Sequence, residues 1–171
     1  LGFQHALARD AVYQDLSEWR RQLLHRRSAK ELAELMESEN GLLAMVADHY
    51  AAAGDLIQGI EYYRRAATAA KSLYAHGEAI SYLRKAIDLT SRVEVETAVL
   101  AQLYEELADT LAITGEFPVA EETYRVILAM TSESEALKSA ELERKIGATL
   151  PPQQREDEAE TLFRAALARL E

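Results

Sequence analysis

Three times along the chain a small residue stands sixteen positions ahead of an aromatic one: Ala47 and Tyr63, Ala108 and Tyr124, Gly147 and Phe163. Each pair belongs to a longer frame. Ala47-x2-Tyr50-x3-Gly54-x4-Gly59-x3-Tyr63-x2-Ala66 returns as Ala108-x2-Leu111-x3-Gly115-x4-Ala120-x3-Tyr124-x2-Ile127, and again as Gly147-x2-Leu150…Ala159-x3-Phe163-x2-Ala166. This offset suits two antiparallel helices packed so that a ring on the second fills the space over a small residue on the first. A single pair cannot bury both of its apolar faces, so the recurrence implies a stack.

Composition agrees. Alanine, leucine, glutamate and arginine dominate the 171 residues, with three prolines and seven glycines, a balance that favours helices joined by short turns. Cysteine is absent, which excludes disulfides, thiolate catalysis and cysteine-ligated zinc. No apolar run reaches the length that spans a bilayer, and Leu1 to Asp10 lack an export signal, so a cytoplasmic location is expected. The net charge of −10 sits in the last third: residues 101–171 hold seven basic and fifteen acidic side chains, against six and seven in both 1–39 and 40–100. Such a surface repels phosphate backbones and argues against nucleic-acid binding.

Punctuation from residue 41 onward predicts helices over 42–53, 56–74, 77–90, 95–113, 117–130, 133–149 and 156–170. Gly54 ends one helix and Asp55, with Gln58, caps the next. Gly115 precedes a helix that opens on Pro118, and Ser91-x-x-Glu94 and Ser132-x-x-Glu135 read as capping boxes. Residues 57–70 are ambiguous: they pair with helix 42–53 through Gly59, Tyr63 and Ala66, yet Ala67 and Ala70 also serve as small positions for Ala79-x3-Leu83-x2-Ala86. Helix 56–74 is therefore either one continuous element shared by two pairs or two elements broken near Thr68. In the last unit Gln154 stands where the turn glycine should be, and Pro151-Pro152 stops the preceding helix near Leu150, so a longer exposed connection is expected at 151–156. Upstream, Phe3, Leu7, Ala11 and Leu16 mark one helix, and Trp19, Leu23, Leu24, Leu32 and Leu35 a second that Ser17 can cap and Ser28 can restart, unless it runs on through Arg26 and Arg27. The opening at Leu1 and the ending at Glu171 on an uncapped helix lead us to expect a piece of a longer protein, or self-association through that last helix.

The frame resembles the tetratricopeptide (TPR) repeat. The resemblance implies an all-α, TPR-like superhelical array of antiparallel helix pairs, an α-α solenoid, preceded by a short helical segment. Repeats fall at about 40–73, an overlapping 60–93, 101–134 and 140–171, and residues 1–39 form the segment before them. In TPR arrays the first helix of each pair lines a concave surface. Here that face carries Asp48, then Arg64, Thr68 and Lys71 of the shared helix, then Gln102, Glu105 and Asp109, then Glu141 and Arg144. The mixed charge does not match the lysine/asparagine clamp of chaperone-binding members. Tyr50, Tyr63, Tyr104, Tyr124 and Phe163 occupy packing positions and are expected in the core, with Tyr62 and Tyr82 beside them.

At the front, Phe3-x-His5-x-Leu7-x-Arg9-Asp10-x2-Tyr13-x2-Leu16 followed by Arg20-Arg21-x2-Leu24-His25 resembles the end of the winged-helix part of bacterial signalling ATPases of the STAND type, whose TPR regions are linked to class III adenylate or guanylate cyclases. Leu43…His49-Tyr50-x3-Gly54…Ala66 and Gly77-Glu78-Ala79-Ile80…Leu83 look like that family's first repeats. The resemblance implies that His5 contacts the β-phosphate of ADP in a full-length protein, since an imidazole can donate to phosphate.

No catalytic signature accompanies these features. A phosphate-binding glycine loop is absent, and His5, His25, His49 and His76 show no metal-ligand spacing, so neither catalytic residues, metal ligands nor cofactor are expected. The sequence reads as a non-catalytic protein-interaction or ligand-sensing regulatory region of a multidomain signalling protein, binding a protein, a peptide or neighbouring domains of its own polypeptide. The alternative is a structural scaffold or oligomerisation segment with no ligand of its own.

Overall fold

The computed structural model describes residues 13–35, 42–132 and 134–170. His5, Phe3, Leu7, Ala11, Glu133, Glu171 and the expected boundary at 39/40 lie outside them. The described elements are α1 (Glu18–Leu35), α2 (Leu43–Ala52), α3 (Leu56–Ser72), α4 (His76–Thr90), α5 (Thr97–Ile113), α6 (Phe117–Met130), α7 (Ala136–Thr149), a 3-10 turn (Pro151–Gln153) and α8 (Glu156–Ala168). Among the described residues there is no strand. Each helix packs on its successor.

Four of the turns share one construction. A residue with positive φ closes the helix at Gly54 (82°), Tyr74 (59°), Gly115 (82°) and Gln154 (59°). The next N–H reaches back five residues, from Asp55 to Tyr50 (3.0 Å), Ala75 to Ala70 (2.9 Å), Glu116 to Leu111 (2.9 Å) and Arg155 to Leu150 (3.3 Å). These bonds satisfy carbonyls that a helix end leaves orphaned. Two glycines marked their turns in the sequence; Tyr74 and Gln154 adopt the same conformation without one, at a steric cost that glycine avoids.

The ambiguity at 57–70 resolves in favour of one continuous helix. The turns on either side of α3 are alike, so α3 is the second helix of a pair with α2 and the first of a pair with α4. Glycine at 59 matters because a Cβ there would stand 3.0 Å from Leu89 Cδ1 and 3.4 Å from the backbone of Ala51. The small-under-large rule is plain at the third pair: a Cβ on Gly147 would lie 2.7 Å from the Phe163 ring.

Cross-helix ion pairs define two layers. Arg64 meets Glu106 and Lys145 meets Glu105, setting α3, α5 and α7 side by side, while Lys85 meets Asp48 and sets α2 beside α4. Between the layers runs the core, with Leu83, Leu103, Leu111 and Ile146 each fully buried. A smaller cluster of Ala29, Val46 and Tyr50 joins α1 to the stack.

Several local expectations are corrected. Asp55 makes no cap bond to α3; Arg26 takes its carboxylate at 2.5 and 2.6 Å. Ser91 closes α4 instead of opening a box, its hydroxyl donating to the Asp88 carbonyl (2.7 Å), and α5 starts only at Thr97. At Ser132 half a box forms: Glu135 accepts its N–H at 3.0 Å, but the serine hydroxyl turns to Ser134. The connection at 151–156 is longer and largely exposed, as expected, and it is also ordered, because Gln153 and Arg155 donate to the buried Glu121. Of the two alternatives open at Ser28 the continuous one holds: α1 runs unbroken through Arg26, Arg27 and Ser28. Tyr50, Tyr63 and Tyr124 are core residues, whereas Tyr104 is half-buried and Phe163 is 37% exposed.

Candidate interaction surface

The helix faces with the right spacing for a groove carry charges that meet across neighbours, and the structure sorts the sequence-predicted residues into four groups. Asp48 on α2 accepts hydrogen bonds from the Tyr63 hydroxyl and from Lys85 on α4 (3.0 Å). Arg64 and Lys71 lie seven residues apart, two turns on the same side of α3, and both face Glu106 of α5, at 2.8 and 3.7 Å. Thr68 between them turns its hydroxyl back to the Arg64 carbonyl (3.1 Å). Glu105 and Asp109, one turn apart on α5, receive Lys138 and Lys145 of α7. Gln102 stands one turn before Glu105 on the same wall. Arg144 lies at the far side of α7, beside Phe163 and Leu167. Asp48 thus belongs to the α2/α4 layer and does not share a surface with Gln102, Glu105 and Asp109.

The partners missed by sequence reasoning are Glu106 and three lysines, Lys85, Lys138 and Lys145. Asp48, Tyr63 and Lys85 form a triad that recurs as Asp109, Tyr124 and Lys145. The Tyr124 hydroxyl donates to Asp109 at 2.6 Å, Lys145 donates to the same carboxylate at 2.8 Å, and the ammonium sits 5.6 Å from the Tyr124 ring centroid. In the first triad Lys85 stands 5.2 Å from the Tyr63 ring. The signal was present: a lysine follows each aspartate by 37 or 36 residues, a separation that marks contact only once three successive helices are known to adjoin.

Electrostatics differ between the triads. Lys145 is 16% exposed against 47% for Lys85. Burial by itself would lower the Lys145 pKa, but Asp109 and Glu105 outweigh it and hold the ammonium above its ordinary range. Burial likewise would raise Glu105, yet Lys138 and Lys145 bring it below the usual carboxylate range. Tyr63 and Tyr124 are both pushed up, first by burial and then by the aspartate each one bonds.

Between α5 and α7 lies a groove of about 430 Å³, floored by Ile127 and Met130 and walled by Gln102, Glu105, Glu135 and Lys138. A second groove of about 510 Å³ runs over Tyr63, with Lys85, Arg84 and Asp88 on its rim. Both combine an apolar floor with mixed charge, which suits side chains and backbone amides of a peptide. Among the described residues no cluster of three or more potential ligands could hold a metal, and no helix is long and apolar enough to cross a membrane.

At the front, α1 is bonded to the array at two points. Arg26 grips Asp55 at the α2–α3 turn, and His25 Nδ1 shares a hydrogen bond with His49 Nδ1 on α2 (2.8 Å) while its Nε2 pairs with the Tyr13 hydroxyl (2.8 Å).

No protein-family model matches the sequence, and no curated protein matches it. Solved structures do match in fold. A crystal structure of MamA superposes with a TM-score of 0.54 at 20% identity, over 84% of this chain and 85% of that one. BtubC (BKLC) from P. vanneervenii gives 0.54 at 15%, over 91% of each chain. The nearly identical TPR-like repeats of a putative kinesin light chain from Podosopora anserina give 0.54 at 17%, over 98% of this chain and 93% of that one. With the helix pairs and shared turns above, these define the class: an all-α, TPR-like superhelical array.

Proposed function

We propose that this array is a non-catalytic protein-interaction region, and that its α5/α7 groove takes an extended peptide or a loop of a protein partner. The observation that carries the reading is that groove itself, an apolar floor of Ile127 and Met130 beneath Gln102, Glu105 and Lys138. Charged walls that are already paired with each other leave backbone amides and small polar groups as the natural ligands, since an added charge would have to displace a partner.

The wider role is that of a regulatory region in a larger cytoplasmic signalling protein of the STAND ATPase type. Residues 1–39 would join the array to the nucleotide switch, with His5 at the phosphate, and 40–171 would listen for the partner. The two bonded points on α1 support this coupling, because a shift of α2 or of the α2–α3 turn moves α1 with it. The scaffold reading is favoured by one observation, the exposed apolar residues on α7 and α8.

A photo-cross-linking residue placed at Gln102, on the groove wall, and in a second variant at Glu160, on the exposed face of α8, tests the reading in cells. Adduct formation from position 102 that disappears on Glu105→Lys is expected. Equal adducts from both positions, or adducts indifferent to Glu105→Lys, would contradict it.

A further inference from the structure

The junction between α1 and the array is made by a hydrogen bond whose existence depends on how many protons it holds. His25 on α1 and His49 in the last turn of α2 face each other through like atoms, Nδ1 to Nδ1 at 2.8 Å, with ring centroids 5.1 Å apart. A ring nitrogen donates when it carries a proton and accepts when it does not. The bond therefore exists only while one of the two nitrogens is bare. A first added proton leaves it intact, because an imidazolium on one side donates to a neutral imidazole on the other in a charge-assisted bond. The second sets two N–H groups and two like charges against each other, and the bond cannot form.

The surroundings give that second charge no relief. On its own side His25 has Arg21 one turn before it, Arg26 next to it, and the Tyr13 hydroxyl on Nε2 at 2.8 Å. From α2 comes His49, while Asp48 beside it is bonded to Tyr63 and Lys85. From the α2–α3 turn comes Asp55, whose carboxylate Arg26 already takes at 2.5 and 2.6 Å. From α3 comes the Tyr62 ring, stacked on Tyr50 beneath Arg65. Burial first and His49 second accordingly hold the His25 pKa below its ordinary 6.5.

Little else holds α1. Ala29 is its one buried residue, in a cluster with Val46 and Tyr50 that stands apart from the main core, whereas α2 to α7 all contribute to that core. The remaining polar tie, Arg26 to Asp55, has side chains 45% and 28% exposed and holds weakly by itself.

We propose that the His25–His49 pair is a proton-operated latch: uptake of the second proton parts α1 from α2 and uncovers the face of Val46 and Tyr50, while α2 to α8 stay folded. A buried imidazole pair at the joint of a small, separately packed element is suited to such switching. The latch needs nothing bound in the α5/α7 groove, so its failure and that of the peptide reading are told apart.

Hydrogen exchange of the 171-residue chain at pH 7.5 and 5.0, read by mass spectrometry and corrected for the intrinsic pH dependence of exchange, tests it with the α4 amides as internal reference. Protection of residues 19–35 relative to α4 is expected to fall by about tenfold, the factor that one unit of pKa difference gives. In His25→Gln and in His49→Gln, where one titratable ring remains, that step should vanish, whatever the protection at pH 7.5. Arg26→Gln should loosen α1 at both pH values and keep the step, which separates the latch from the ion pair beside it. Equal relative protection at the two pH values in wild type would overturn the proposal, as would a step that survives in both glutamine variants of the pair.

Discussion

Two lysines in one repeated triad should differ sharply in what they contribute. Lys145 donates to Glu105 at 2.7 Å and to Asp109 at 2.8 and 3.1 Å from a site only 16% exposed. Replacing it with methionine keeps the stem and removes the charge, leaving Asp109 with only the Tyr124 hydroxyl while Glu105 keeps Lys138. Hydrogen bonds to charged groups contribute about 1.5–3 kcal/mol each when shielded; with Asp109 46% exposed, we set the net loss near 2 kcal/mol after solvent screening. Lys85 makes one ion pair, 3.0 Å to Asp48, with side chains 47% and 56% exposed. Lys85→Met should therefore stay within about 0.5 kcal/mol of wild type. Urea denaturation followed at 222 nm resolves the difference, and in thermal melts Lys145→Met should lower the midpoint by about 4–8 °C. A loss from Lys85→Met as large as that from Lys145→Met would refute the claim that burial, not the motif, sets the contribution.

Two further outcomes follow from local geometry. His25 is held below the usual imidazole pKa of 6.5, first by burial and then by His49, so the stability it lends is complete above that value and is lost as pH falls through the folded-state pKa; thermal midpoints should drop between pH 7.5 and 5.5, and an unchanged slope in His49→Gln would contradict the junction's part in it. Tyr74 holds a left-handed conformation while 84% exposed, so Tyr74→Gly should stabilise by roughly 0.5–1 kcal/mol and Gly115→Ala should destabilise by about 1 kcal/mol, with the opposite signs in urea titrations counting against the shared turn geometry.

The sequence carried most of the helix plan because its cues were local. Gly54, Gly115 and Pro118 fix turns within a few residues, and the sixteen-residue offset joins helices that are neighbours in the chain. What it concealed depends on helices two apart. Nothing near Asp109 announces Lys145, and nothing near Arg64 announces Glu106, since those contacts exist only after the layers form. Capping boxes misled for a related reason: Asp55 was better satisfied by Arg26, far away in sequence, than by its own helix. The turns at Tyr74 and Gln154 were placed by the helix boundaries and by Pro151-Pro152, but their left-handed conformation was not legible, because neither residue type marks it as glycine does. The candidate surface was therefore half visible, its acidic wall legible on α5 and its lysine wall not.

The placement of Arg64, Thr68 and Lys71 on one surface rests on α3 being a single helix shared by two pairs. Native-state hydrogen exchange of the amides across residues 56–72 tests this directly. Amides on both sides of Thr68 are expected to be protected alike and to open together. Fast, independent exchange after Thr68 would mean two elements, and would separate Lys71 from the charge network at Glu106.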